Sequence, residues 1–231
     1  MDIKTGILTD VPLRLEPAEF VSRDPQLKKR ISPRMFKIIR DMTSLVHSLA
    51  NPAGYFRIEK IRKRQKGSIF LSEQGGKFPR EIELKLNRIS AAFNHCEYAV
   101  AYICTIGERV EERIEEFCKK GDPLRTWLFD SVCSYLAEKL AERVQKAAVS
   151  RFKNMKPTNR FSPGYCDWHI TQQKKLFCLF TGMDIAVSLN SACMMIPRKS
   201  ISGLFGLCKK TVSETIPCKS CPKKDCPSRR G

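Results

Sequence analysis

The chain has 231 residues, 42% of them hydrophobic and 29% charged, a balance that supports a folded core and excludes a low-complexity or purely charged polymer. Its 42 Lys and Arg outnumber 24 Asp and Glu, giving a formal charge of +18 that calls for an acidic partner or a solvated basic surface. The longest apolar run, Tyr98 to Ile106, is far too short for a bilayer span, and the N-terminus lacks a basic-then-apolar signal; both point to a cytoplasmic protein with no membrane partner.

Eleven cysteines cannot all pair within one chain. Cys96, Cys104, Cys133 and Cys178 fall in apolar, periodic stretches, where a free thiol acts as a small hydrophobe, so a reducing cytosol fits.

Residues 1–30 read as an irregular lead-in, rich in Pro and charge, with room for one short strand. Ser32-Pro33 then supplies an N-cap and a first-turn Pro, and Met35, Ile38, Ile39, Met42, Leu45, Val46 and Leu49 keep helical spacing until Asn51-Pro52. Tyr55–Ile61 and Ser68–Leu71 read as strands joined by a basic hairpin. Leu86–Phe93 reads as a short helix and Tyr98–Thr105 as a buried strand. An acidic helix over Glu108–Lys119 stops at Gly121-Asp122-Pro123. A long helix follows, with Leu124, Leu128, Val132, Leu136, Leu140 and Val144 four residues apart. Arg160–Tyr165 reads as loop or strand, Thr171–Phe180 as helix, Ile185–Leu189 as strand and Lys199–Leu207 as the last strand. Strands and helices do not alternate strictly, so the expectation is an α+β fold: a mainly antiparallel, twisted sheet with packed helices over residues 31–207, then a Cys- and Lys-rich tail over 208–231.

Two segments carry ligand chemistry. In Arg160-Phe161-Ser162-Pro163-Gly164-Tyr165, Pro-Gly demands a tight turn, flanked by an Arg fork suited to a carboxylate and a Tyr that stacks or hydrogen-bonds. Such a loop can grip a small zwitterion or anion; a structural turn with a surface Arg is the plainer reading. Met194-Met195-Ile196-Pro197-Arg198-Lys199-Ser200-Ile201-Ser202-Gly203 leads from apolar residues into a small, polar strand that lets a ligand approach backbone.

Together these segments, with Gln173-Lys174, Phe177 and Ala186-Val187-x-Leu189 between them, resemble the activation domain of cobalamin-dependent methionine synthase, in its short, stand-alone form. Thr105-Ile106-Gly107, Gly121-Asp122 and the long helix around Ala137-Glu138 are similar in order and spacing, so the resemblance covers roughly residues 85–208. It implies S-adenosylmethionine as ligand, with Arg160 on its carboxylate, Pro163, Gly164 and Tyr165 shaping the pocket, and Glu138, Lys199, Ser200 and Ser202 around it. It also implies reductive reactivation, in trans, of a corrinoid methyltransferase whose cobalamin sits on the partner protein, with an electron donor; the chemistry lies in the cofactors and needs no catalytic side chain here. Two positions depart from the family pattern: Asn190-Ser191-Ala192 replaces Thr-Glu-Ser, and Ser134 stands at an acidic position.

The tail offers Cys218-x-x-Cys221 and Cys226, with Cys208 as the best fourth thiolate. This set suits structural zinc or an iron–sulfur cluster, and free thiols in a solvated tail are the alternative. Residues 57–66 carry six Lys or Arg against one Glu, and 209–231 carry seven against two acids. Hence two rival readings stand beside reactivation: a non-catalytic module whose basic face binds an acidic protein or nucleic acid, and a small iron–sulfur redox protein.

Overall fold

The computed structural model describes residues 5–9, 11–23, 28–29, 31–73, 80–209 and 224–225. In chain order the elements are β1 (Thr5–Thr9), α1 (Pro17–Arg23), α2 (Pro33–Leu49), β2 (Ala53–Lys60), β3 (Lys63–Gln65), β4 (Ser68–Glu73), β5 (Arg80–Lys85), a 3-10 helix (Asn87–Phe93), β6 (Cys96–Thr105), α3 (Arg109–Lys119), α4 (Pro123–Val149), β7 (Lys156–Pro157), α5 (Gln172–Cys178), β8 (Ser188–Leu189), β9 (Met195–Ile196) and β10 (Ser200–Cys208). The main sheet runs β1-β2-β6-β10-β7 with every neighbour antiparallel; β3-β4-β5 form a second antiparallel sheet and β8-β9 a short ribbon. This is the α+β architecture expected from the sequence.

The helix boundaries follow from their caps. The Ser32 hydroxyl accepts the Met35 N–H at 3.2 Å and Pro33 fills the first turn of α2. Asp122 does the same for α4, accepting the Arg125 N–H at 3.0 Å ahead of Pro123, and that bond holds its carboxyl below the ordinary range. Along α4, Leu128, Val132, Leu136, Leu140 and Val144 are buried as the four-residue spacing predicts, while Leu124, at the helix start, stays outside the core. His47 of α2 accepts the Leu15 N–H at 3.0 Å through Nε2, tying the lead-in to the body.

Alternation along the three central strands serves two cores. Phe56, Ile58, Val100, Tyr102, Phe205 and Leu207 pack with α2 and α4. Tyr55, Ala99, Ala101, Ile103 and Leu204 pack with the second sheet, the 3-10 helix, Trp168 and α5. Each fully buried Val, Leu, Ile or Phe among them contributes about 1.5–3 kcal/mol.

Several elements depart from the sequence reading. β2 pairs with β1 and β6 instead of forming a hairpin with β4, which pairs with β3 and β5. The two-residue β7 and β9 lie where no strand was expected. A helix, α1, interrupts the lead-in, with Pro17 in its first turn and Phe20 and Val21 buried. β5 occupies a stretch that no predicted element covered, although Ile82 and Leu84 are buried between the charged Glu81, Glu83 and Lys85 in the period of a strand. The cysteines also divide. Cys104 and Cys133 are buried free thiols, burial pushing the Cys133 thiol up to about 12 and Cys104 higher still, so both are inert packing groups. Cys178 is exposed instead, and Cys96 is no free thiol: it is joined to Cys208 by a disulfide between β6 and β10. Among the described residues no helix is long and apolar enough to cross a membrane.

One ion pair sits inside the second core. Arg57 Nε donates to Glu59 Oε1 at 3.1 Å and its Nη1 to the Leu179 carbonyl at 2.6 Å, with both side chains under a tenth exposed. The pair fastens the end of α5 to β2. Replacing Arg57 alone takes the guanidinium away from a buried carboxylate, so Arg57→Met is expected to cost about 3–5 kcal/mol in denaturant unfolding, and the double variant Arg57→Met/Glu59→Leu to recover most of that loss.

Candidate functional site

The site begins with two backbone hydrogen bonds. Phe161 N donates to the Leu204 carbonyl at 2.9 Å, and Leu204 N donates back to Phe161 at 2.8 Å. Just upstream, Thr158 N donates to Gly206 O at 2.9 Å while Gly206 N donates to Thr158 Oγ1 at 2.8 Å. The stretch 156–161 therefore lies along the free edge of β10 and delivers the Arg160–Tyr165 turn beside the Ser200–Gly203 strand. Two motifs some forty residues apart meet by strand pairing.

Gly203 makes that meeting fit. A Cβ there would lie 2.4 Å from the Phe161 carbonyl oxygen and 2.6 Å from the Tyr102 hydroxyl, closer than atoms approach. Tyr102 itself is buried, and burial pushes its phenol well above the ordinary range, so it is a fixed neutral wall. Past Phe161 the chain turns at Pro163-Gly164, Gly164 having φ of 92°, a conformation that side chains resist. Gly164 N donates to the Trp168 carbonyl at 2.8 Å, and the buried Trp168 anchors the turn in the second core. Asn87 Nδ2 adds a bond to Asp167 O at 2.7 Å. Pro163 is buried, whereas Tyr165 presents its ring to solvent, 63% exposed.

The face where the Arg160 segment and the start of β10 meet α4 is lined by charge. Arg160 Nη2 donates to Glu138 Oε2 at 3.2 Å and Nη1 to Gln145 Oε1 at 3.1 Å. Lys199 Nζ lies 2.7 Å from Asp130 Oδ1 and donates to Ser134 Oγ at 2.9 Å, while its backbone N–H donates to Glu111 Oε1 at 2.7 Å. Asp130, Ser134 and Glu138, one helical turn apart, form a single stripe on α4. Of the residues expected here, Arg160, Glu138, Lys199, Pro163, Gly164 and Tyr165 thus lie on the two motif segments or on the facing helix stripe. Ser200 is turned to its own segment, its hydroxyl donating to Pro197 O at 2.6 Å. Ser202 carries a buried hydroxyl with no hydrogen-bond partner among the described residues.

Sequence reasoning passed over Glu111, Asp130 and Gln145, which fix Lys199 and Arg160. Asp130 was legible as the same α4 stripe one turn before Ser134; Gln145 and Glu111 are set by tertiary contact alone.

Other features fall elsewhere. A cavity of about 420 Å³ lies at the α3–α4 corner, lined by Cys118, Gly121, Asp122, Pro123, Thr126, Trp127 and Asp130. It is open and mostly apolar, meets the charged face only at Asp130 and lacks both motif segments, so the charged face is the better candidate. The basic stretch 57–66 is anchored at several points within the protein, while Lys60, Arg62, Lys63, Arg64 and Lys66 remain exposed. Arg57 is buried, Arg62 donates to Ser72 Oγ, Arg64 donates to the Phe93 and Cys96 carbonyls, and Lys63 lies over the Phe70 ring. The expected metal ligands Cys218, Cys221 and Cys226 lie outside the described residues. Cys208, expected as the fourth thiolate, is bonded to Cys96 instead, which removes its sulfur from metal ligation in this structure. No group of metal-ligating side chains occurs among the described residues.

Comparison with known proteins agrees with this fold. Residues 64–213 match the family model described as vitamin B12 dependent methionine synthase, activation domain. Among solved structures, the MetH reactivation domain bound to AdoHcy has the same fold, with a TM-score of 0.59 at 15% identity, covering 90% of this chain and 79% of that one. No curated protein matches. The family match spans well over half of the chain, and the chain belongs to that family.

The fit at Gly203 gives a direct check. Gly203→Ala is expected to push Phe161 off β10 and displace Arg160, lowering the unfolding midpoint by the equivalent of about 1–3 kcal/mol, the usual cost of overpacking. Loss of the Phe161 and Leu204 amide protection in hydrogen exchange locates the damage; unchanged protection would contradict the account.

Proposed function

We propose that this member of the vitamin B12 dependent methionine synthase activation-domain family binds S-adenosylmethionine at the Arg160 face and acts in trans in the reductive reactivation of a corrinoid methyltransferase. The observation that carries the reading is the Phe161–Leu204 pairing, which puts the Arg160–Tyr165 turn against the Ser200–Gly203 strand. In this reading Arg160 takes the ligand carboxylate through charge-assisted, forked hydrogen bonds. Gly164 keeps the turn open to close approach, Tyr165 offers an exposed aromatic face, and Ser202 brings an unpartnered hydroxyl to the same strand. The solved relative with AdoHcy, the demethylated form of this ligand, supports the choice.

The chemistry belongs to the bound groups: a corrinoid cobalt in the Co(II) state takes one electron from an external donor and the methyl group of S-adenosylmethionine, leaving S-adenosylhomocysteine. The chain's own residues orient the ligand; no side chain is required to move a proton. Residues 31–207 would form the functional unit together with β1, α1 and Cys208, which complete its sheet and core. Of the basic stretch behind the rival basic-face reading, Arg57 is buried and Arg62 and Arg64 are held by hydrogen bonds within the protein.

Calorimetric titration of the full chain with S-adenosylmethionine tests the site. Binding is expected, and Arg160→Ala is expected to weaken it at least tenfold, since a hydrogen bond to a charged group is worth about 1.5–3 kcal/mol. Equal affinity in a folded Arg160→Ala variant would remove the assignment. Restored methyl transfer by an inactivated Co(II) corrinoid methyltransferase, given this protein, a one-electron donor and S-adenosylmethionine, tests the role.

A further inference from the structure

Arg160 already holds a carboxylate. Both of its terminal nitrogens are engaged from α4, Nη2 by Glu138 Oε2 at 3.2 Å and Nη1 by Gln145 Oε1 at 3.1 Å. The two acceptors differ in kind. Gln145 is a neutral amide that also donates to the Thr158 carbonyl at 3.1 Å, so it is fixed to the backbone of the segment that carries Arg160. Glu138 makes no other hydrogen bond or ion pair among the described residues, and its side chain is 47% exposed against 20% for Arg160. The guanidinium is thus held in place by the amide, while the carboxylate on it can swing into water.

We propose that Glu138 is an intramolecular competitor: its carboxylate occupies the position on Arg160 that a ligand's carboxylate takes, so ligand entry exchanges one carboxylate for another. This rests on the reading of Arg160 as the carboxylate-binding residue given above. It reverses the role that sequence reasoning assigned to Glu138, that of a residue gripping the ligand. Gln145 keeps the fork in place during the exchange. One and two turns back along α4 the same arrangement recurs with the same signs, where Lys199 Nζ rests on Ser134 Oγ at 2.9 Å and on Asp130 Oδ1 at 2.7 Å. The face is therefore closed on itself electrostatically, and a ligand gains only the difference between its own contacts and those it displaces.

The competitor has a signature that a ligand-gripping residue does not share. Removing its charge strengthens binding, and only for ligands that carry a carboxylate. The experiment is calorimetric titration of the wild-type chain and Glu138→Gln with S-adenosylmethionine and with its decarboxylated analogue. Glu138→Gln is expected to bind S-adenosylmethionine about two- to fivefold more tightly, the range that a half-exposed ion pair allows, and to bind the decarboxylated analogue with unchanged affinity. Glu138→Ala, a second variant, carries the same expectation. Weaker binding of S-adenosylmethionine, or an equal gain on both ligands, overturns the proposal. Arg160-dependent binding that neither variant alters removes the competitor role and leaves the site standing. Absence of binding in wild type and variants alike removes both.

Discussion

Two hydrogen bonds between the backbones of Phe161 and Leu204 place everything that follows. β10 lies between β6 on one side and the 156–161 stretch on the other, so whatever pairs with its free edge is held against the most buried strand of the sheet. Backbone groups there must find partners, and Phe161, Thr158 and Lys156 supply them in turn. The geometry tolerates no Cβ at residue 203, because the Phe161 carbonyl and the Tyr102 hydroxyl fill that space. A sheet edge, a glycine and a buried tyrosine thereby fix where Arg160 points.

Charge then shapes the site. In a chain of net charge +18, the two cations at the site are both neutralised from α4, and Glu111 further holds the Lys199 backbone. Within the densest basic stretch Arg57 is buried against Glu59 and Arg64 donates to the Phe93 carbonyl, while the other basic side chains stay exposed. The positive excess is thus no guide to the site; the position of individual cations is.

Much of this was legible before any coordinates. The caps at Ser32-Pro33 and Asp122-Pro123, the four-residue spacing of α4 and the glycine turn at 164 are local signals, and each folds as its local chemistry dictates. β5 was legible but overlooked, since Ile82 and Leu84 alternate with charges over too few residues to stand out beside the basic hairpin. α1 is different: its seven residues are too short to form a stable helix on propensity alone, and Phe20 and Val21 hold it by packing. The disulfide partner of Cys208 was equally beyond reach, because Cys96 is 112 residues away and only strand pairing brings them together. Within the site, the motif residues could be read from the chain, but the pairing of Arg160 with Glu138 and Gln145 could not, since it depends on the angle at which α4 crosses β10.

A crystal structure of the full chain with S-adenosylmethionine or S-adenosylhomocysteine tests the central claim most directly. The account predicts the ligand carboxylate on Arg160, with the rest of the molecule lying along the Gly164–Tyr165 turn and the Ser200–Gly203 strand. A ligand seated instead in the apolar cavity at Trp127, with Arg160 untouched, would contradict it.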